Sequence, residues 1–167
     1  YSGAGKSTLA EKLSHCYSIP KLHMDTLQFQ PGWQDSDREW MLTQMKNFLT
    51  KHEAWVIDGN YSWCFYEERM QEADQIIFLN FSPWTCLFRA FKRYLTYRGK
   101  VRESMAEGCQ EQFNWEFIRW ILWDGRTKAQ KENYQKLLQE YSHKITILRN
   151  QRELYQFLDK KRKSSNS

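Results

Sequence analysis

The residues best suited to chemistry stand together at the front of the chain. Ser2, Gly3, Ala4, Gly5, Lys6, Ser7 and Thr8 contain the second half of Gly-x4-Gly-Lys-[Ser/Thr], the pattern of a loop that wraps phosphate groups. Gly5, Lys6 and Ser7 fill its last three places, and its first glycine would fall one position before Tyr1. Small residues suit such a loop because backbone N–H groups must close around phosphate oxygens. On this pattern Ser2 to Thr8 cradle a nucleotide, Lys6 meets the terminal phosphates, and the Ser7 hydroxyl ligates a metal ion. ATP and Mg²⁺ are the expected cofactors.

Two carboxylates and a run of cations extend the site. Asp58 closes the apolar run 55–58 just before Gly59, where parallel sheets open a ligand crevice, and it is expected to help hold Mg²⁺. Asp25 follows the run 21–24 and would orient or deprotonate an acceptor hydroxyl. His23 reads as a buried, hydrogen-bonded side chain. Between residues 89 and 102 lie Arg89, Lys92, Arg93, Arg98, Lys100 and Arg102, with no acid among them. Arg89 and Arg93 share a helix face. With Arg126 they are expected to close over the phosphates. Trp115, Trp120 and Trp123, with Phe117 and Ile121, read as core packing, and the 33–40 region as core more than pocket.

Helical and strand patterns alternate along the chain. Helices are expected over 6–17, from a capping box at 36–39 to about 51, over 61–73, from Pro83 to about 97, over 114–141 with a break near 124–125, and from Asn150 to about 161. Strands are expected over 21–24, 55–58, 75–81 and 144–148, with a turn at 30–33 and a loop over 98–110. Alternation of this kind builds an α/β fold with a parallel sheet covered on both faces.

Composition narrows the classes. The chain has 167 residues, 41% of them hydrophobic and 16% aromatic, enough for one domain with its own core and too apolar for a disordered chain. No apolar stretch approaches a membrane span, and no secretory leader is visible. Four cysteines without a Cys-x-x-Cys pair argue for free thiols in a reducing cytoplasm. Lys160, Lys161, Arg162 and Lys163 carry most of the net charge of +5, so 160–167 reads as a solvated, fraying end.

The phosphate loop, His23-Met-Asp25, Pro31-Gly-Trp33, the segments 55–61 and 73–79, and 105–109 resemble the bacterial proteins described as DNA topology modulation proteins. These are similar to adenylate kinases and other small-molecule kinases. The resemblance spans nearly the whole chain. It implies a three-layer P-loop NTPase/kinase fold over 1–167, with a lid inserted around 98–126. It also implies that Asn150 and Arg152 border the adenine. Adenylate kinases follow their Asp-Gly with phenylalanine, proline and arginine; Asn60 and Tyr61 stand here, which counts against AMP as acceptor.

In the adenylate-kinase-like arrangement the strand feeding the loop is central, between the strands at 55–58 and 75–81. It is not among these residues, so the chain reads as part of a longer one, with four strands and a slot between two of them. The expected function is transfer of the ATP γ-phosphoryl group to a small acceptor. The alternative is a nucleotide-gated DNA-binding protein that modulates DNA topology through the 89–102 cations and the C-terminal lysines. No DNA-reading motif is visible, and no membrane partner is expected.

Overall fold

Residues 1–165 are described in a computed structural model of the chain. The glycine loop runs directly into α1 (Lys6–Tyr17), which buries Leu9, Ala10 and Leu13 at the spacing that one helix face provides. The chain then enters β1 (Lys21–His23), the short α2 (Asp25–Gln28), and a hairpin of β2 (Phe29–Gln30) and β3 (Gln34–Asp35) around the turn at 30–33. After α3 (Arg38–Lys51), β4 (Val56–Asp58) lies parallel to β1, with Leu22 opposite Ile57 and His23 opposite Asp58.

The second half repeats the alternation. Following α4 (Tyr66–Glu72), β5 (Ile76–Leu79) leads to α5 (Pro83–Tyr97), whose proline sits in the first turn, where its absent N–H costs nothing. The Ser82 side chain caps that helix by accepting from the Thr85 N–H. The helical stretch expected over 114–141 divides into α6 (Trp115–Leu122), a 3₁₀ turn over Asp124–Arg126, and α7 (Lys128–Glu140). Finally β6 (Ile145–Leu148) pairs parallel with β5, and α8 (Gln151–Ser165) closes the described chain. The fold is therefore α/β with parallel strands, and the four expected strands are β1, β4, β5 and β6.

Those strands form two separate pairs. β1 bonds to β4 and β5 to β6, but β4 and β5 share no ladder. A cavity of about 870 Å³ follows β4 and β5, with Leu9, Leu13, Ile57 and Ile77 on its walls. The strands at 55–58 and 75–81 are thus not paired with each other, as expected.

Packing is organised in clusters. Leu9 and Leu13 of α1 join Leu79, Phe81, Ala90, Ile121, Leu148 and Leu154 in the largest. Met24, Met41, Met45 and Cys64 hold α3 against the β1–β4 side. Met105, Ala106 and Cys109 pack with Phe29 and Trp33, fastening the 104–111 loop onto the hairpin. None of Cys16, Cys64, Cys86 and Cys109 is in a disulfide. Among the described residues, no helix is long and apolar enough to cross a membrane.

Four expectations need correction. The helix read over 61–73 begins only at Tyr66, because Phe65 takes a φ of 45° and buried Arg69 gathers the carbonyls of Tyr61 and Cys64 into a turn. The cap of α3 is Asp37, whose Oδ1 accepts from the Trp40 N–H at 2.8 Å; Ser36 is drawn away by its own N–H to the Gln28 carbonyl at 2.7 Å. Trp115, Trp120 and Trp123 are exposed at 68%, 47% and 57%, since α6 turns Ile121 inward instead. The expected frayed end is helical through Ser165, with Lys163 paired to Asp159; Asn166 and Ser167 lie outside the described residues.

Candidate active site

Residues 1–8 bend sharply because glycine permits it. Gly3 and Gly5 adopt φ of 75° and 92°, and such left-handed steps turn successive N–H groups toward one point. A Cβ at Gly3 would lie 2.4 Å from the carbonyl oxygen of Cys86, so only glycine lets the loop rest on the first turn of α5. Ala4 is fully buried. The Lys6 ammonium folds back to donate to the Tyr1 carbonyl at 3.2 Å.

Asp58 meets this loop from the end of β4. It is 8% exposed, and His23 Nδ1 lies 3.3 Å from its Oδ2; a carboxylate can only accept, so His23 donates. Burial raises the Asp58 carboxyl, but the His23 hydrogen bond, the Lys6 charge and the Ser7 hydroxyl together hold it below the usual carboxylate range. Its Oδ1 is buried without a partner. A buried anionic oxygen is costly to leave so, and a cation beside the Ser7 hydroxyl would satisfy it. No cluster of three or more His, Cys, Asp or Glu suits a metal ion among the described residues. Mg²⁺ nevertheless needs only one or two protein ligands when phosphates and water supply the rest, so Ser7 and Asp58 fit it.

A cavity of about 970 Å³ beside the loop is also lined by Asp25, Tyr61, Arg89, Arg93, Arg102 and Glu111. Asp25 Oδ1 accepts from the Tyr61 hydroxyl at 2.6 Å. Burial, then the charge and hydrogen bond of Asp25, push the Tyr61 phenol up, so it remains a donor. The Arg69 guanidinium, 2% exposed, bonds the Tyr61 carbonyl at 2.7 Å and positions that tyrosine.

The arginines divide into two sets. Arg89 donates to the Ala4 carbonyl at 2.7 Å and to Gln151, with its guanidinium 4.0 Å from the Phe81 ring. Arg126 is tied to the carbonyls of Ile121 and Phe81 and stacks 3.7 Å over Tyr1. Arg93 and Arg102 instead share one carboxylate, Glu111, which Arg93 reaches at 2.9 Å. Burial and the nearby Arg102 lower the Arg93 guanidinium, while Glu111 opposes the shift.

The structure brings Lys6, Ser7, Asp25, Arg89 and Arg93 to one cavity, with Ser2, Gly3, Gly5 and Thr8 on its wall. Asp58 stands just beneath, through its neighbour Gly59. Arg126, tied to the carbonyls of Ile121 and Phe81, does not line this cavity. Asn150 caps α8 by accepting from the Glu153 N–H at 3.0 Å, and neither it nor Arg152 reaches the wall, where Gln151 does. Sequence reasoning passed over Tyr61 and Glu111, and it named Arg102 only as one of the 89–102 cations. It also favoured core for Trp33, which lines the cavity and donates its indole N–H to the Gln110 carbonyl at 3.1 Å. The Asn60-Tyr61 departure from the adenylate-kinase pattern was the one available signal for Tyr61; Glu111 had none.

No protein-family model, curated protein or solved structure matches the chain.

Proposed function

We propose that this chain is a P-loop phosphotransferase that binds ATP with Mg²⁺ at residues 2–8 and passes the γ-phosphoryl group to a small hydroxylated acceptor. The observation that carries the reading is Asp58: a buried carboxylate, held ionised, with one oxygen unpartnered beside the lysine and serine of a phosphate-type loop. The resemblance to DNA topology modulation proteins and to adenylate kinases supports the same three-layer kinase fold.

The residues divide the work. N–H groups of the loop and of the first turn of α1 hold phosphate oxygens, and Lys6 exchanges the Tyr1 carbonyl for the terminal phosphates. Mg²⁺, held by Ser7 and Asp58, supplies neutralisation of charge on the phosphate oxygens. Arg89 turns from the Ala4 carbonyl to the same charge. Asp25, oriented by Tyr61, takes the proton of the acceptor hydroxyl as that oxygen bonds to the γ-phosphorus and the bond to ADP breaks. Trp33 and Phe29, which meet edge to face, give the acceptor an aromatic wall. Catalysis of this kind is positioning and charge neutralisation.

DNA binding would need the 89–102 cations turned outward. Arg89, Arg93 and Arg102 are engaged by Ala4, Gln151 and Glu111 instead, which leaves the exposed Lys92, Arg98 and Lys100 of that run for such a contact. The direct test is ATP consumption measured over a panel of nucleosides, nucleotides and small hydroxylated metabolites. One acceptor should raise ADP release well above the acceptor-free rate, and Asp25→Asn should abolish that increment. ADP release that no acceptor stimulates would contradict the reading.

A further inference from the structure

α5 carries its large apolar side chains on the face turned to water. A surface helix ordinarily buries such residues and exposes polar ones. Here the buried residues are the small Cys86 and Ala90, while Trp84, Phe88, Phe91 and Leu95 are between 43% and 70% exposed. Their spacing of four, three and four keeps them within about 60° of arc on the helix, on the side away from Cys86 and Ala90.

The stripe continues beyond α5. Phe91 meets Phe113 with ring centroids 5.2 Å apart, and Trp115, at the start of α6, is exposed too. None of Trp84, Phe88, Phe91, Leu95 and Trp115 lines the polar cavity or the groove between the strand pairs, so the stripe serves neither. A contiguous exposed apolar patch of this kind marks an interaction surface.

Charge indicates what it meets. Residues 82–102 contain no acid. Lys92, beside the stripe, and Arg98 and Lys100, just past its end, are exposed, and Glu103, the next acid along the chain, is paired with Lys21. A second copy of the chain would set these cations against each other, with no acid in the stretch to meet them. A DNA duplex would satisfy the cations and leave the stripe in water. An anionic bilayer satisfies both.

We propose that α5 docks flat on an anionic lipid surface. Trp84, Phe88, Phe91 and Leu95 enter the boundary between headgroups and acyl chains, and Lys92, Arg98 and Lys100 meet the lipid phosphates. Helices that lie in this boundary combine Trp, Phe and Leu on one side with flanking Lys and Arg, and tryptophan favours that depth. Nearby cations add attraction to anionic headgroups within a Debye length. Lying on a membrane needs no spanning helix, and there is none among the described residues. The expectation of no membrane partner came from the lack of a span, which does not bear on an interfacial face.

The test is cosedimentation of the protein with vesicles of phosphatidylcholine alone and of phosphatidylcholine mixed with phosphatidylglycerol. Partitioning should be at least about tenfold stronger on the mixed vesicles and should weaken as salt is raised. One variant combining Trp84→Gln, Phe88→Gln and Leu95→Gln should lose at least about tenfold of that binding. A second, combining Lys92→Gln, Arg98→Gln and Lys100→Gln, should bind mixed vesicles no better than neutral ones. All six side chains are exposed, so both variants should keep the wild-type thermal midpoint; the cation variant keeps the test decisive should the apolar one not fold. Equal partitioning of the wild type to both vesicles, or to neither, would overturn the proposal. So would a solution dimer that the apolar variant abolishes, or duplex DNA binding that the apolar variant weakens. No ATP is present, so failure here and failure of the phosphotransfer reading stay distinct.

Discussion

The two sides of the polar cavity hold their cations in different ways. On the loop side, Lys6 and Arg89 rest on the backbone carbonyls of Tyr1 and Ala4. On the opposite side, Arg93 and Arg102 grip the carboxylate of Glu111, whose side chain is only 3% exposed. A cation on a neutral carbonyl gives up little when a phosphate arrives, whereas two guanidiniums on a buried carboxylate form a charge-assisted pair that is strong and hard to exchange. The loop side is therefore built to change partners on binding. The 102–111 side is built to stay, holding the loop of Met105, Ala106 and Cys109 against Phe29 and Trp33.

The sharpest way to break that contrast is Glu111→Ala. It leaves two partly buried guanidiniums without their anion and should cost about 3 kcal/mol or more of stability, read by chemical denaturation. Glu111→Ala with stability intact would mean that the pair is no anchor. Gly3→Ala comes next. It places a Cβ against the Cys86 carbonyl in a left-handed backbone and should cost about 1–3 kcal/mol, with ATP affinity falling further than stability because the loop itself must shift.

Asp58 gives a smaller effect with a defined sign. A carboxyl held below its unfolded value stabilises the fold above that value, and the contribution is lost as pH falls through the folded one. Stability of the wild-type protein should therefore decline as pH drops below the ordinary aspartate value of about 3.9, and Asp58→Asn should flatten that part of the curve. An unchanged slope would remove Asp58 from the account of the loop side. The smallest change is Asn150→Ala, which removes the α8 cap and should cost about 1 kcal/mol with ATP affinity unaltered. A large loss of affinity would restore Asn150 to the nucleotide site.

Much of the framework was legible because local rules dominate it. The glycine loop running into α1, the Ser82-Pro83 start of α5, the break near Gly125 and the Asn150–Glu153 cap are each written in neighbouring residues. The separate strand pairs were expected from the resemblance to adenylate kinases, whose arrangement keeps the strands at 55–58 and 75–81 apart. What escaped depends on contacts between distant segments. Glu111 acquires meaning only when Arg93 and Arg102 converge on it. Arg69 shortens α4 by taking carbonyls of the preceding turn. The α6 tryptophans have helical spacing and large side chains, yet periodicity does not say which face finds a partner. Trp33, in the 30–33 turn, read as core from its size alone, and it packs against Phe29 on the cavity wall.

Calorimetric titration of ATP with Mg²⁺ into the wild-type protein and into Lys6→Ala tests the central claim most directly. Lys6 makes no contact in the hydrophobic clusters, so the variant should stay folded by circular dichroism. The account predicts measurable binding to the wild type and a loss of at least about a hundredfold in the variant, equivalent to about 2.7 kcal/mol. Equal affinity in wild type and a folded Lys6→Ala would contradict it.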